Sequence, residues 1–314
     1  RLVYHRSWAS WREDAHRAGS QGSAAPRRGE PGASQVELRT GFAYPIGMAL
    51  VELSTPAPHI RLLTLNEPET RNAISFDLTT ELYAALQSLH EDNDCSVVVL
   101  TGAEGAFCSG MNLAEMGIPP NCEGLPMSRI AIRSMQYISG LIPAMRGIPQ
   151  PIIAAINGAA FGGGLCLALG ADIRMASESA SFCFAGVHHG LTGAEMGISY
   201  LLPRAVGSSN ASEILLTGRR YDSSAALRMG LVSEVHSDDA LLERAIDMAK
   251  EIDGWSTHGI SMTKRVLWSS QECGSLAAAI DLEDRNQMLV RMTTKNFEES
   301  MAARTEGREP QFED

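Results

Sequence analysis

From Pro151 to Ala171 the chain runs "PIIAAINGAAFGGGLCLALGA" without one charged side chain. A segment with no polar face must be buried on every side, so the fold has to build a core large enough to surround it. The run is not a membrane span, because Asn157 and five glycines interrupt the roughly 20 apolar residues that a span needs. "PIIAAING" reads as a buried strand ending at a turn, and the apolar run after it as a buried helix opened by Gly162, Gly163 and Gly164. Glycine loses more backbone freedom on ordering than any other residue. Three in a row at a helix start therefore mark a place where bare backbone is needed.

The rest of the chain supplies the neighbours of this run. "HIRLLTLN" reads as a strand, Ser75 to about Asn93 as a helix with Leu78, Leu82, Leu86 and Leu89 on one face, and "SVVVLTG" as a second strand. Leu125 to Arg146 reads as helix, and "ADIRMAS" and "ASFCFAG" as further short strands. Strands alternating with helices predict an α/β domain with mostly parallel pairing and right-handed crossovers. Beyond Ser208 helical patterns dominate, as in "ALLERAIDMAKEI". The organisation expected is a disordered extension over 1–45, an α/β core over 46–207 and a helical C-terminal part over 208–314. No internal sequence repeat is evident.

Composition narrows the function. A net charge of -11 with no basic face argues against nucleic-acid binding, which needs clustered Lys and Arg. Cysteines at 95, 108, 122, 166, 183 and 273 have no metal-ligand spacing and read as reduced thiols, which points to a cytoplasmic location and no metal. Residues 1–45 are rich in Arg, Ser, Gly and Pro, as in a mitochondrial presequence, but Glu13, Asp14 and Glu30 count against one. Met48 stands just before the first strand-like pattern, so the tail reads as an upstream extension.

Glycines at a helix start after a buried strand present backbone N–H groups at the positive end of the helix dipole, a site for an oxygen anion. The spacing is neither that of a P-loop nor of a dinucleotide fingerprint. A second strand-to-helix turn, "GAEGAFCSGMNLAEMG" (102–117), again brings glycine to a strand end. Two such ends in one sheet can each give one N–H to a single oxygen, the geometry of an oxyanion hole.

"LNEPETRNAIS" (65–75), "FCSGMNL" (107–113), the 151–177 segment, "LTGRRYDSSAALRMGLVSEV" (216–235) and "EESMAARTEGREPQF" (298–312) together resemble the enoyl-CoA hydratase/isomerase, or crotonase, superfamily over about residues 50–312. The resemblance implies a ββα-superhelix core, an acyl-CoA thioester as substrate, and no cofactor beyond the coenzyme A of that substrate. It implies a homotrimer or a hexamer. It assigns the thioester oxygen to the amides of Met111 and Gly163, with Ser109, Gly110, Asn112, Leu113 and Gly162 around them. Arg71, Asn72 and Ala73 resemble the CoA-binding turn, and Arg308 and Phe312 the tail that relatives place near the nucleotide, often from a neighbouring subunit. The alternative for Arg71 is a solvated turn arginine.

The chain departs from the hydratases of that family at both catalytic glutamates. Cys166 and Gly186 stand in their places in the acyl site. Cys166 reads as an inert buried thiol or a weak acid. His188 and His189 follow Gly186 and, taken as strand residues, face opposite ways; His188 is a candidate to hold water, or a structural histidine. Asp172 reads as a turn or cap acceptor. Glu195, in "HHGLTGAEMGISYLLPRAVG", is the remaining carboxylate and the candidate acid/base; the other reading is a helix N-terminal acid that complements the dipole. Hydration or double-bond isomerisation of an enoyl-CoA is expected, the alternatives being hydrolase or dehalogenase chemistry and a non-catalytic CoA-binding homologue.

Overall fold

The charge-free strands lie side by side in one sheet. The computed structural model describes residues 49–113 and 117–313, so the extension expected over 1–45 lies outside the described residues. β1 (Val51–Ala57) and β2 (Ile60–Leu65) form an antiparallel edge pair, and β3 (Val97–Gly102), β5 (Ile152–Ile156), β7 (Ile173–Ser177) and β10 (Glu234–His236) continue the sheet in parallel. A smaller sheet holds β4 (Ala106–Cys108), β6 (Ala159–Phe161) and β8 (Ser181–Cys183) in parallel, with β9 (Tyr221–Asp222) antiparallel at its edge.

The helices are α1 (Phe76–Glu91), α2 (Met127–Ser139), α3 (Leu141–Gly147), α4 (Gly163–Gly170), α5 (Ile198–Val206), α6 (Ser208–Thr217), α7 (Ser223–Met229), α8 (Leu241–Asp253), α9 (Thr257–Ser270), α10 (Leu276–Thr293) and α11 (Asn296–Glu306). β3 leads into β4, β5 into β6 and β7 into β8, so each turn of the chain crosses from the large sheet to the small one before helices carry it back. This succession is a ββα superhelix. No helix among the described residues is long and apolar enough to cross a membrane.

Alternation along β3 explains why it, like β5, carries no charge. Val98 and Leu100 face Leu78, Leu82, Leu86 and Leu89 of α1 in the larger core. Val97 and Val99 face the other way, joining Ile153, Ala155 and Met175 under Leu241, Ala245 and Ala249 of α8. Each of the fully buried Val, Leu, Ile and Met side chains contributes roughly 1.5–3 kcal/mol, so covering both faces is what the sequence requires. α1 is started by Ser75, whose hydroxyl accepts from Leu78 N–H at 3.0 Å.

The structure differs from the sequence expectation in three places. The helix expected over 125–146 is two helices, broken at Gly140, where the Tyr83 hydroxyl occupies the space a Cβ would need and donates to Tyr137 O at 2.8 Å. The glycine run does not follow β5 directly, because β6 intervenes. The part beyond 208 is not wholly helical: β10 joins the main sheet beside β7, and α8 covers that sheet's outer face.

Asp172 ties α9 to the starting ends of the strands. Its Oδ2 accepts from Ile152 N–H at 2.8 Å and meets Lys264 Nζ at 3.0 Å, while Oδ1 accepts from Trp268 Nε1 at 2.6 Å. Lys264, 5% exposed, also donates to Gln150 O at 2.8 Å, and the Arg146 guanidinium stacks 3.4 Å from the Trp268 ring centre. The turn acceptor read from sequence is thus the hub of a buried ion pair. Asp172→Asn strands the Lys264 ammonium in the interior and is expected to lower the unfolding free energy by about 3 kcal/mol, read from urea denaturation midpoints.

Candidate active site

Two loops beyond the finishing ends of β2 and β3 are stitched together by backbone bonds. Ser109 N–H donates to Arg71 O at 3.0 Å, and Ser109 Oγ donates to Thr70 O at 2.9 Å. Ile74 N–H donates to Gly110 O at 2.7 Å, and Ile74 O accepts from Asn112 N–H at 3.0 Å. This parallel bridge uses both backbone groups of Ile74 and leaves the Met111 N–H facing the other way.

On that other side lies the corner between β6 and α4. Gly110 has φ +97°, and a Cβ there would stand 2.8 Å from Phe161 O and 3.5 Å from Gly163 N. Only glycine permits this approach of the two loops. Gly163 is the first residue of α4, and neither its amide nor that of Met111 has an acceptor among the described residues. Two unmet donors at one corner, one of them at a helix start, suit a single oxygen that gains charge.

Glu195 comes to the same corner through its neighbours. Its carbonyl accepts from Ile198 N–H at 3.0 Å and lies 3.7 Å from Cys166 Sγ, one turn along α4 from Gly163. Met196, which nothing in the sequence singles out, has Sδ 3.3 Å from where a Gly163 Cβ would be. Burial raises the pKa of Glu195, so a carboxyl that is ordinarily ionised is closer to sharing its proton. Cys166 is fully buried, and burial, reinforced by Glu195, holds its thiol well above its ordinary pKa, which favours the protonated thiol.

Several expected site residues stand elsewhere. Gly186 and His188 lie in a one-turn 3-10 helix (Gly186–His189), not a strand; the exposed His188 ring bonds Thr217 O at 2.9 Å. A Cβ at Gly186 would meet Thr192 O at 2.5 Å, so the returning loop fills the place of the second acid. Asn72 does not face a ligand. It is fully buried, its Oδ1 accepting from Glu67 N–H at 2.9 Å and its Nδ2 donating to Ala103 O at 3.1 Å and Ala106 O at 2.8 Å. It clamps the turn that presents Arg71, whose exposed guanidinium has no partner among the described residues, and Ala73, buried with its N–H on Thr70 Oγ1. Leu113 is 66% exposed just past Asn112, which is buried.

Arg308 and Phe312 are not brought to the site of their own chain. Arg308 is paired with Glu299 and Glu306, and Phe312 lies with Trp255 in a groove by Cys95 and Ser96, at the starting end of β3. Met111 and Gly163 follow β4 and β6, past the finishing ends of β3 and β5. Distance along the strands separates the two.

The sequence pattern of enoyl-CoA hydratase/isomerase proteins matches residues 57–314. The chain belongs to the enoyl-CoA hydratase/isomerase family. It is 46% identical over 278 residues to a probable enoyl-CoA hydratase of Mycobacterium bovis, covering 88% of this chain and 97% of that one. A solved structure of a probable enoyl-CoA hydratase/isomerase from Mycobacterium abscessus superposes with a TM-score of 0.81 at 46% identity, over 84% of this chain and 98% of that one. A monofunctional enoyl-CoA isomerase from M. smegmatis gives a TM-score of 0.64 at 44% identity, over 74% and 98%. The fold is the crotonase fold, and this family member is an enzyme of the lyase or isomerase type; the hydrolase and dehalogenase alternatives are not favoured.

The glycine corner of this family member can be tested without touching an acid. Gly110→Ala forces the 109–113 loop off Phe161 O and pulls the Met111 amide away from Gly163. Losing one such donor costs about a hundredfold in kcat, the drop expected for this variant on an enoyl-CoA thioester.

Proposed function

We propose that this enzyme isomerises the double bond of an enoyl-CoA, with Glu195 as its only acid/base and the Met111 and Gly163 amides as the oxyanion hole. What carries the reading is that Glu195, the one carboxyl near the glycine corner that sequence singles out, docks against Cys166 and is raised in pKa by burial. As carboxylate it takes a proton from a carbon next to the enoyl unit, the electrons move onto the thioester oxygen between the two amides, and the protonated Glu195 returns the proton at the other end of the dienolate. One group serves both steps, so no second acid is needed.

Hydration needs a second group to hold water, and the candidate His188 is bonded to Thr217 O instead. Coenzyme A arrives as part of the substrate, and no resident cofactor enters the scheme. Arg71, free and exposed at its turn, suits an anionic group of that coenzyme. Assembly as a homotrimer or hexamer is supported by α10, which has no buried residue and exposes Leu276, Ile280, Met288, Leu289 and Met292. A cytoplasmic location is proposed, as for other thiol-bearing enzymes without disulfides.

Glu195→Gln is expected to lower kcat on an enoyl-CoA by about a thousandfold while KM changes little. Unchanged turnover sinks the assignment. Because burial raises the Glu195 pKa and the base form must be ionised, kcat/KM falls as pH drops through that raised value, with its limb above the ordinary glutamate value of about 4.3. Analytical ultracentrifugation checks the assembly: a species of three or six chains is expected, and a monomer at micromolar concentration overturns it.

A further inference from the structure

Cys166 is buried to the last atom on α4, a helix turn after Gly163 and on the same side of the helix. A thiol that stays protonated is a donor, so the 3.7 Å contact runs from Cys166 S–H to Glu195 O. The same carbonyl accepts from Ile198 N–H at 3.0 Å, so Glu195 is held by the first amide of α5 and by α4 at once. The chain before it is more exposed, at Leu191, Thr192 and Ala194, and is held by Leu191 N–H on Gly186 O at 3.0 Å and by Thr192 Oγ1 on Ala194 O at 3.0 Å. The chain after it is tense. Met196 has φ +47° although it is not glycine, is 3% exposed, and is followed by Gly197 at φ +80°. A left-handed backbone at such a residue is strained and persists only where its surroundings over-determine it. Two contacts supply that constraint, the thiol behind Glu195 and the packing of Met196 Sδ against Gly163.

We propose that Cys166 is a positioning residue for Glu195: its S–H···O bond docks the Glu195–Met196 turn onto α4, beside the corner formed by Gly110 and Gly163. Side-chain length at 166 sets how close the turn comes. With Sγ already in contact with the Glu195 carbonyl, a longer side chain lifts the turn and the carboxyl with it, and a shorter one without a donor leaves the carbonyl held from one side only. The proposal rests on Glu195 as acid/base, and its test separates the two.

Cys166→Ala and Cys166→Ser are made in the full-length enzyme, alone and with Glu195→Gln, and assayed on an enoyl-CoA thioester that the unaltered enzyme turns over. Cys166→Ala is expected to lower kcat about tenfold with KM within about twofold, less than the hundredfold that a misplacement of a full ångström costs. Cys166→Ser keeps a donor and is expected to recover most of that loss. With Glu195→Gln in place, Cys166→Ala costs nothing further, because the group it positions is gone. Equal losses in both backgrounds, or an unchanged kcat in Cys166→Ala, overturn the positioning role. Hydrogen exchange over residues 190–198 gives a readout that does not depend on turnover. Faster exchange there in Cys166→Ala, and not across the rest of the chain, is expected; unaltered exchange overturns the docking. Should Glu195→Gln alone retain full turnover, the acid/base role fails, and the exchange result still decides whether Cys166 docks the turn.

Discussion

A helix that begins inside a protein has amide groups that neither water nor its own carbonyls can satisfy. α4 is such a helix, buried over all eight of its residues. Gly162 N–H finds Cys183 O at 2.9 Å, and the next amide, that of Gly163, finds nothing among the described residues. The demand for an oxygen at this point is set by the backbone before any side chain is chosen. The pairing of β4 with β6 then carries Gly110 to the same corner, and the turn clamped by Asn72 fixes the loop that follows it. The chemistry of the site grows from one unfilled hydrogen-bonding position.

That origin explains which parts are legible in the sequence. β3 and β5 announce themselves because burial on both faces disfavours charge, and β2 and β7 by apolar runs that each hold one arginine, Arg61 and Arg174. β4 and β6 are three residues each, and β9 and β10 carry Asp222, Glu234 and His236; nothing in such segments distinguishes strand from loop. The ββα unit recurs in space without recurring in sequence, because what repeats is a crossing between sheets and not a set of side-chain contacts. The glycines are readable as a demand for bare backbone, and the amide of Met111 only through the family resemblance. Asn72, His188 and Arg308 show the limit. Residue type marks a side chain as able to bind, and its direction is decided by which groups nearby lack a partner: three backbone groups for Asn72, Thr217 O for His188, and the carboxylates of Glu299 and Glu306 for Arg308. Met196 stays invisible because a left-handed backbone at a non-glycine residue leaves no sequence signature.

The parallel strands have two ends with different duties. At the starting end, Asp172, Lys264 and Trp268 bind α9 to the sheet through a buried ion pair. At the finishing end stand the glycine corner and the loop of residues 190–197, which is tied down at Glu195 and largely exposed before it. Cohesion is concentrated at the first end, and the second holds the left-handed Met196 beside the glycine corner.

This separation bears on how such an enzyme changes over evolutionary time. The loop that carries Glu195 lies at the opposite end of the sheet, so its length and side chains can change without disturbing the ion pair that keeps α9 on the sheet. The glycine corner, made of backbone, does not depend on which side chain stands beside it. Under the proposed role of Glu195, the proton carrier belongs to a rim that can be replaced while the corner and the ion pair stay as they are.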